Sequence, residues 1–360
     1  MQVLESVADR HRWLRLWQEC GREPFAHPAY GELFAQPGER PVALVTERDN
    51  GFALVPVILR PIPAATSLYD AVSPYGYGGP FRRGDVCADS VLADVEAWLA
   101  REGLCSAFLR LSLDVEVSGA PGTTVADVAD NVVVDLRRDE EEIWRGYEHK
   151  VRKNVKKALR AGCTVRRDDR MPDVDAFVEV YAATMHRRDA AAWYHFDRDF
   201  FAQLAESLTG NYSVFWVHDG DGRVVSVELV LESDDYLYSF LGGTHEDAFP
   251  MSPNDLLKHE VSLHGQRTGR TGFVLGGGYQ RGDGIFRYKR SFDPRGVRSF
   301  RAARMIGRRD RYDALVDEHS RRSGSAPNGG FFPAYRAPVE SAPGTNPTRS
   351  TELTVASTEG

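Results

Sequence analysis

Apolar residues in the second half of the chain alternate with turn residues in a pattern that predicts an antiparallel meander. Three apolar runs follow one another, at residues 213–218, 223–231 and 236–241. The first two are separated by Asp-Gly pairs, and Asp-Gly between runs rich in β-branched and aromatic residues is a hairpin signal. Apolar residues then recur at helical spacing from Asn254, which predicts a helix, and the run 273–275 predicts a closing strand.

The first half of the chain repeats this order of elements. The predicted elements are three apolar runs, a helix and a strand, at residues 42–45, 52–59, 67–69, 91–101 and 107–111. The turn glycines Gly51 and Gly222 are 171 residues apart, and the helix-ending glycines Gly103 and Gly269 are 166 apart. This near-constant offset predicts a duplicated α/β unit, with chance similarity of common elements as the alternative. Because each half opens with a hairpin, we expect mixed α/β sheets rather than a doubly wound parallel fold.

Changes in composition along the chain predict two tandem domains and a tail. The expected boundaries are 1–142 for the N-terminal domain, 143–320 for the C-terminal domain with its basic linking helix, and 321–360 for the tail. At roughly 150 residues per domain, a length of 360 residues suits two domains. The tail is rich in Ser, Gly, Pro and Thr. From Ala337 onward we expect disorder, because too few apolar side chains remain to offset the chain entropy.

Composition excludes several classes of protein. Hydrophobic residues make up 42% and charged residues 27% of the chain, as is usual for globular proteins. No apolar run approaches the roughly 20 residues that span a bilayer, and no basic segment leads into an apolar stretch at the start. We therefore expect a cytoplasmic protein without integral membrane contact. The four cysteines are scattered and HExxH spacing is missing, so neither a metal site nor a disulfide framework is predicted.

The net charge of −7 conceals two strongly basic segments. Residues 143–170 carry ten cations and three acids, and residues 281–311 carry eleven cations and three acids, so the rest of the chain sums to −22. Residues 150–160 form a predicted helix without any acid, and clustered cations of this kind predict contact with phosphates. A solvated helix face is the alternative, and for the second segment it explains the charges at least as well. The phosphate-binding candidates in the helix are Arg152, Lys153, Lys156, Lys157 and Arg160.

Glycine-rich stretches in the chain lack the signatures of nucleotide and coenzyme sites. Residues 276–278 are all glycine and follow a predicted strand, but neither GxxxxGK[ST] nor GxGxxG surrounds them. Neither half shows the RxxGxG or RxxGxA loop with which acetyl-CoA enzymes hold pyrophosphate. A Gly/Pro-rich loop at 73–80 carries Tyr75 and Tyr77, whose rings either pack in the core or line a substrate site.

Several ordered motifs between residues 150 and 292 resemble those of one family. The motifs occupy residues 152–158, 184–188, 241–244, 253–257, 275–278 and 283–292. Together they resemble the FemABX family of peptidoglycan-bridge aminoacyltransferases and the related FemAB-like group of GNAT-type acyltransferases. Agreement is fainter at 331–336. The resemblance implies two tandem GNAT-like domains with a cleft between them, as in the shorter members that lack a coiled-coil insertion.

The resemblance also implies roles for individual residues. An aromatic-Lys pair near the C-terminus serves catalysis in the family, and it falls on Tyr288 and Lys289. A fixed cation there would stabilise the charge that develops on the carbonyl oxygen when an amine attacks an aminoacyl ester. The alternative for Lys289 is an ordinary surface cation. Arg188 matches a position that holds an anionic acceptor, and Tyr75 and Tyr77 match the loop that lines the acceptor site. The other residues expected to bind substrate are Thr184, Asn254, Tyr279 and Arg287.

The function favoured by this resemblance is transfer of an amino acid from aminoacyl-tRNA to an amine, which forms an amide. The acceptor would be a peptidoglycan precursor or a natural-product intermediate, and no cofactor is expected beyond the aminoacyl-tRNA co-substrate. The alternative is an N-acyltransferase that uses acyl-CoA and acts on an amino sugar or small amine, although the missing pyrophosphate loop counts against it. A non-catalytic RNA-binding protein would explain the cations but not the other motifs. No general base can be identified from the sequence.

Overall fold

The structure, a computed structural model, describes residues 1–63, 65–324, 326 and 330–338. Its strands are β1 (Gln2–Glu5), β2 (Arg40–Arg48), β3 (Gly51–Ile62), β4 (Ala65–Val72), β5 (Phe81–Gly84), β6 (Ser106–Arg110), β7 (Thr123–Asp135), β8 (Thr164–Asp168), β9 (Tyr212–His218), β10 (Val224–Glu232), β11 (Tyr236–Thr244), β12 (Gly272–Gly276) and β13 (Val297–Ile306). Its α-helices are α1 (Arg10–Glu19), α2 (Pro28–Phe34), α3 (Ala88–Glu102), α4 (Glu140–Gly146), α5 (His149–Arg160), α6 (Val174–Arg187), α7 (Arg198–Ser207), α8 (Pro253–Arg267), α9 (Gly284–Arg290) and α10 (Arg309–Ser323).

The described residues divide into two compact units. Unit 1 contains residues 1–20, 25–128 and those from Phe300 on, and unit 2 contains residues 21–24 and 129–299. The two main boundaries, after residues 128 and 299, differ from the predicted ones for reasons of strand pairing. The last part of β7 pairs with β12 and so belongs to unit 2, whereas the last part of β13 pairs with β6 and returns the chain to unit 1. Local periodicity predicts that a strand exists but does not identify its partner.

In unit 1 the sheet order is β1–β2–β3–β4–β6–β13, with β5 paired to β3. β2 and β3 form a hairpin across the predicted turn, and β6 runs parallel to β4. Helix α3 ends at Gly103, which has the positive φ of 68° that favours glycine. The apolar face of α3 covers the sheet with Val91, Leu92, Val95, Trp98 and Leu99. The predicted order of hairpin, strand, helix and strand is confirmed in this unit.

The first residues of the predicted tail are folded onto unit 1. Helix α10 extends to Ser323, and a 3₁₀ turn follows at Ala334–Arg336. Tyr335 packs in a small apolar cluster that includes Tyr312, and its hydroxyl donates to the fully buried carboxylate of Asp70 at 2.9 Å. Residues 339–360, for which disorder was expected, lie outside the described residues.

In unit 2 the sheet order is β7–β12–β11–β10–β9–β8. The strands β8 to β11 are antiparallel, which confirms the predicted meander, and β12 is parallel to β11. The register of β11 with β12 covers three pairs and ends at Tyr238 opposite Val274. Beyond that point β11 continues to Thr244, whereas β12 pairs with β7 on its other side. The two parallel strands therefore separate, and we call the opening between them the notch.

Helices cover both faces of the sheet of unit 2. α4, α5, α8 and α9 share one apolar core with the sheet, whose members include Val151, Val155, Leu257 and Phe273. Trp216 points to the other face, because strand side chains alternate, and its ring meets Phe177 of α6 at a centroid distance of 6.1 Å. The basic helix α5 thus shares a face with α8, which begins beside the notch.

Within the described ranges, no helix is both long enough and apolar enough to cross a membrane. The His, Cys, Asp and Glu side chains of these same ranges form no group that could hold a metal ion. All four cysteines are free thiols.

Candidate active site in unit 2

The carboxyl ends of β11 and β12 bring the sequence motifs of unit 2 together. β11 leads through residues 245–252 into α8, and β12 leads through residues 277–283 into α9. Because parallel neighbouring strands end at the same edge of a sheet, both connections lie beside the notch. The motifs at this edge are residues 241–244, 253–257, 275–278 and 283–292.

The side chain of Asp283 organises the loop 277–283. Its Oδ2 accepts hydrogen bonds from the backbone N–H groups of Tyr279 (2.7 Å) and Gln280 (2.9 Å), and its Oδ1 caps α9 through the N–H of Phe286 (2.8 Å). Burial would raise the pKa of Asp283, but these three donors and the charge of Lys289 lower it below its ordinary value. A Cβ on Gly278 would lie 2.1 Å from Asp283 Oδ1, so glycine is required for this close approach.

Lys289 lies in the interior at the end of β12. Its side chain has no exposed surface, and Nζ donates a hydrogen bond to the carbonyl oxygen of Gly277 at 2.8 Å. The alternative of an ordinary surface cation is therefore wrong. Because the ammonium is enclosed and bound to the first residue of loop 277–283, direct contact between Lys289 and an acyl carbonyl would require this loop to shift.

The neighbours of Lys289 around the loop differ in exposure. Tyr288 is half-buried, and its ring packs edge-to-face on Phe292 with the centroids 5.3 Å apart. Arg287 is exposed and donates to the carbonyl oxygen of Gly282 at 2.7 Å. Tyr279 is 64% exposed at the tip of the loop. The structure thus places Tyr279, Arg287, Tyr288 and Lys289 around one loop, with only Lys289 fully enclosed.

The basic helix α5 presents its cations to solvent. Lys153, Lys156, Lys157 and Arg160 are exposed, while Val151, Val155 and Ala158 on the opposite side are buried in the core. Arg152 differs from the other candidates because it is half-buried and donates to the backbone carbonyls of Arg145 and Tyr147. The predicted amphipathic helix is confirmed, and four of its five candidate cations lie on the surface.

All the lysines of the chain lie in unit 2, on α5 or in the interior. The chain has six lysines, and four of them are Lys150, Lys153, Lys156 and Lys157. The remaining two, Lys258 and Lys289, are fully buried in unit 2. An ammonium is a compact point charge with three donors, whereas a guanidinium is a wide planar fork, so a buried lysine fits where arginine would not.

Asp255 in the first turn of α8 is a titratable group that the sequence did not single out. Its Oδ1 accepts a hydrogen bond from Asn154 Nδ2 of α5 at 3.1 Å, which ties the basic helix to the start of α8. Burial raises the pKa of Asp255 to about 6, although the bond from Asn154 and the charge of Lys150 oppose the shift. A signal was available in the sequence, because Asp255 stands next to the candidate Asn254 within the Pro-Asn-Asp motif.

This raised pKa predicts a specific pH dependence of stability. Between the unfolded pKa of about 4 and the folded pKa of about 6, the folded state binds more protons, so the free energy of unfolding falls as pH rises. We expect Asp255→Asn, which keeps an acceptor for Asn154, to remove this loss and to be more stable than wild type at pH 7.5 by up to about 3 kcal/mol. Denaturant unfolding of both proteins at pH 4.5 and pH 7.5 measures the difference.

A matched control for this experiment is Asp199→Asn, which removes an exposed carboxylate from the first turn of α7. Its stability difference from wild type should stay nearly constant over the same pH range. Parallel pH profiles for wild type and Asp255→Asn would show that Asp255 does not titrate in this window.

Several cations of the second basic segment have carboxylate partners nearby. Arg308 and Arg311 approach Asp310 at 3.2 and 3.6 Å, and Arg309 approaches Asp313 at 3.8 Å. Other arginines of the segment bind nearby groups, as Arg281 does with Asp130 at 3.5 Å. The solvated alternative therefore explains this segment better than phosphate binding does.

Three further candidates in unit 2 lie near the end of β11 or the start of α8. Thr184 is buried, and its hydroxyl donates to the carbonyl oxygen of Val180 and accepts from the N–H of Thr244, both at 3.0 Å. This position fits a structural role, in which Thr184 ties α6 to the end of β11, better than it fits contact with the substrate. Arg188 caps α6 and Asn254 lies in the first turn of α8, and both are half-buried.

Tyr75 and Tyr77 lie in unit 1, where the structure favours the packing alternative. They are 3% and 2% exposed. Tyr77 packs edge-to-face on Phe25 and Phe300, each at a centroid distance of 5.3 Å, and the ring of Tyr75 meets Phe34 at 5.7 Å. Their aromatic rings therefore fill the core of the unit instead of forming an open substrate wall.

Comparison with known proteins assigns the fold. Residues 145–290 match the family model of the acetyltransferase (GNAT) domain. FemX superposes with a TM-score of 0.66 at 13% identity, covering 85% of this chain and 98% of FemX. L-PGS from Bacillus licheniformis superposes with a TM-score of 0.54 at 13% identity, covering 85% of this chain and 94% of L-PGS. The C-terminal domain of a putative lysylphosphatidylglycerol synthetase from Agrobacterium fabrum superposes with a TM-score of 0.53 at 15% identity, covering 86% of this chain and 96% of that domain. Among curated proteins, none matches the sequence.

The GNAT match spans the notch, the basic helix and all of α9. Residues 145–290 are thus similar to the acetyltransferase (GNAT) domain, and the fold of the chain is similar to that of FemX. The predicted resemblance to FemABX-like proteins is thereby confirmed at the level of the fold.

Proposed function

We propose that the protein transfers an amino acid from aminoacyl-tRNA to the amine of an acceptor and so forms an amide. The observation that carries this proposal is the cationic surface of α5, defined by Lys153, Lys156, Lys157 and Arg160, on a helix that is bonded to the start of α8. Exposed cations without interleaved acids suit a long polyanion, whose phosphates release counterions on binding. A donor bound there would have its reactive end at the notch.

The connection between β11 and α8 favours tRNA over coenzyme A as the donor. In place of a glycine-rich turn, residues 246–251 form a 3₁₀ helix that exposes Glu246 and Asp247. A pyrophosphate at this position would meet the carboxylate of Glu246, beside Asp247 paired with Arg223 at 2.7 Å, instead of converging backbone N–H groups. An acyl-CoA-dependent N-acyltransferase acting on an amino sugar or small amine is the second candidate, because the matching family model is described as an acetyltransferase domain.

The proposed chemistry uses Lys289 at the end of β12. The acceptor nitrogen attacks the ester carbonyl carbon, the C–N bond forms, and the C–O bond to the ribose breaks. The proton lost by nitrogen passes to the departing ribose oxygen, which makes the proton transfer substrate-assisted. Negative charge on the carbonyl oxygen is stabilised by the ammonium of Lys289 once loop 277–283 has shifted to admit the ester.

The acceptor in this proposal is a small or peptidic amine that also carries an anionic group. Arg188, half-buried where α6 ends, would hold that anion by charge-assisted hydrogen bonds. A peptidoglycan precursor or a natural-product intermediate meets this description. Because aminoacyl-tRNA is a cytoplasmic substrate, we place the reaction in the cytoplasm.

Label transfer from the donor tests the function directly. The full chain is incubated with a pool of aminoacyl-tRNA charged with radiolabelled amino acids, or with labelled acetyl-CoA, and with a panel of amines. We expect label to reach an amine from aminoacyl-tRNA and the transfer to vanish when the donor is treated first with ribonuclease. Transfer that survives ribonuclease, or that occurs from acetyl-CoA alone, would rule out the tRNA donor and favour the second candidate.

A further inference from the structure

An ion pair lies in the interior of unit 2, away from the loop that holds Lys289. Lys258 of α8 and Glu228 of β10 have side chains with no exposed surface, and Nζ lies 2.6 Å from Oε1. Nζ also donates a hydrogen bond to Oγ of Ser239 in β11 at 2.8 Å. On β12, the ring of Phe273 lies with its centroid 5.6 Å from the same Nζ. One ammonium from the helix therefore contacts three adjacent strands.

These contacts lie where the notch begins. Ser239 directly follows Tyr238, the last residue of β11 that is paired with β12, and Phe273 belongs to the last paired stretch of β12. Lys258 thus lies at the point where the two parallel strands separate. We call Lys258, Glu228 and Ser239 the apex cluster.

Stability alone does not account for the apex cluster. The surrounding core is apolar and includes Val230, Leu237 and Leu257. A buried ion pair in such surroundings is about as stable as a well-packed apolar replacement of similar volume, because desolvation offsets the attraction. The ion pair adds geometric specificity, because its hydrogen bonds fix the relative positions of the groups that they join.

We propose that Lys258 is a positioning residue for acyl transfer, and that the apex cluster fixes how β11 diverges from β12 and hence the shape of the notch. Lys258 is enclosed, so it acts through the strands and touches neither donor nor acceptor. The proposal depends on the acyltransferase activity of the protein but not on whether the donor is aminoacyl-tRNA or acyl-CoA.

The principal variant for testing this inference is Lys258→Met combined with Glu228→Leu. Removing both charges together leaves neither one buried alone, so the melting temperature should stay within about 3 °C of wild type. Lys258→Met alone leaves Glu228 uncompensated and should lower the melting temperature by about 10 °C. The matched control is Arg198→Gln with Asp175→Asn, which removes an exposed ion pair between α6 and α7.

Amide hydrogen exchange of the full chain without any ligand provides the first readout. In the double variant we expect exchange of residues 239–244 to become at least about tenfold faster, while the strands β8 and β9 exchange as in wild type. The control pair should change neither region. Unchanged exchange at 239–244, or a uniform rise throughout unit 2, would overturn the proposal. Should the double variant not fold, Ser239→Ala removes one bond of the cluster, and a rise of about threefold confined to 239–244 is expected.

Kinetics provide the second readout, with the labelled donor that the wild-type protein accepts. The double variant should lose about tenfold or more in kcat while the KM for the donor changes less than about twofold, because the strands are misplaced but α5 is intact. A wild-type kcat in a folded double variant would refute the proposal. Because hydrogen exchange needs no substrate, failure of the tRNA proposal and failure of this one give different results.

Discussion

Lys289→Met is expected to lower the rate of acyl transfer by about 100-fold or more, which is the usual effect of removing one donor to a developing oxyanion. The expectation has a structural basis, because Lys289 is held in place by burial and by the hydrogen bond from Nζ to Gly277 O at 2.8 Å. Once loop 277–283 has shifted to admit the ester, the ammonium would stabilise the charge on the carbonyl oxygen from a fixed position. Single-turnover transfer of label from the accepted donor measures the effect on the chemical step.

The matched control for Lys289 is its neighbour Arg290. Arg290 is an exposed cation in the last turn of α9, so Arg290→Met makes the same change of charge on the same helix. We expect Arg290→Met to react at the wild-type rate. The melting temperature and the affinity for tRNA should also be measured for Lys289→Met, so that a loss of fold is separated from a loss of chemistry. A folded Lys289→Met variant with wild-type turnover would remove Lys289 from the mechanism.

The repeated order of elements could be predicted from the sequence because it depends on local patterns. Asp-Gly and Asn-Gly turns mark the hairpins, and helical spacing of apolar residues marks α3 and α8. The return of the chain to unit 1 at Phe300 could not be predicted in this way. It depends on the pairing of β13 with β6, almost 200 positions earlier in the chain, and no local pattern encodes that choice.

Only part of the candidate site could be predicted from the sequence, for a related reason. Motif residues around Lys289 lie close together because they follow parallel strands that end at the same edge. The sequence around Tyr75 and Tyr77 does not distinguish rings that pack in a core from rings that line a site. In the structure both rings are buried in the core. Glu228 and Lys258 were missed, although Glu228 is the one charge inside the apolar run 224–231.

The two basic segments show why net charge is an incomplete guide. By composition they are equivalent, but Arg308, Arg309 and Arg311 have carboxylates within 4.0 Å, whereas the lysines of α5 project from a helix without acids. Carboxylates beside a cation lower the positive potential that a phosphate would experience at that place on the surface. The free energy available for binding a polyanion therefore depends on the arrangement of the charges as well as on their number.

This difference leads to a prediction for Lys153, Lys156 and Lys157. Replacing all three with Gln should weaken binding of total tRNA by about 100-fold at 0.1 M salt and should reduce the slope of log K against log salt by about 2 to 3, since each lost phosphate contact removes roughly 0.7 to 0.9. The three side chains are exposed, so the helix should keep its fold. Titrations at several salt concentrations between about 50 and 200 mM measure both quantities.

The matched control replaces Arg308, Arg309 and Arg311 with Gln and so makes the same change in net charge. If the arrangement of charges decides binding, the control should lose less than about threefold in affinity and keep the wild-type salt slope, because Asp310 and Asp313 already offset two of its three positive charges. Equal losses in the two triple variants would mean that tRNA responds only to the overall charge of the protein. A wild-type affinity and slope in the α5 variant would mean that tRNA does not bind at this helix, and the proposed donor would then lose its main support.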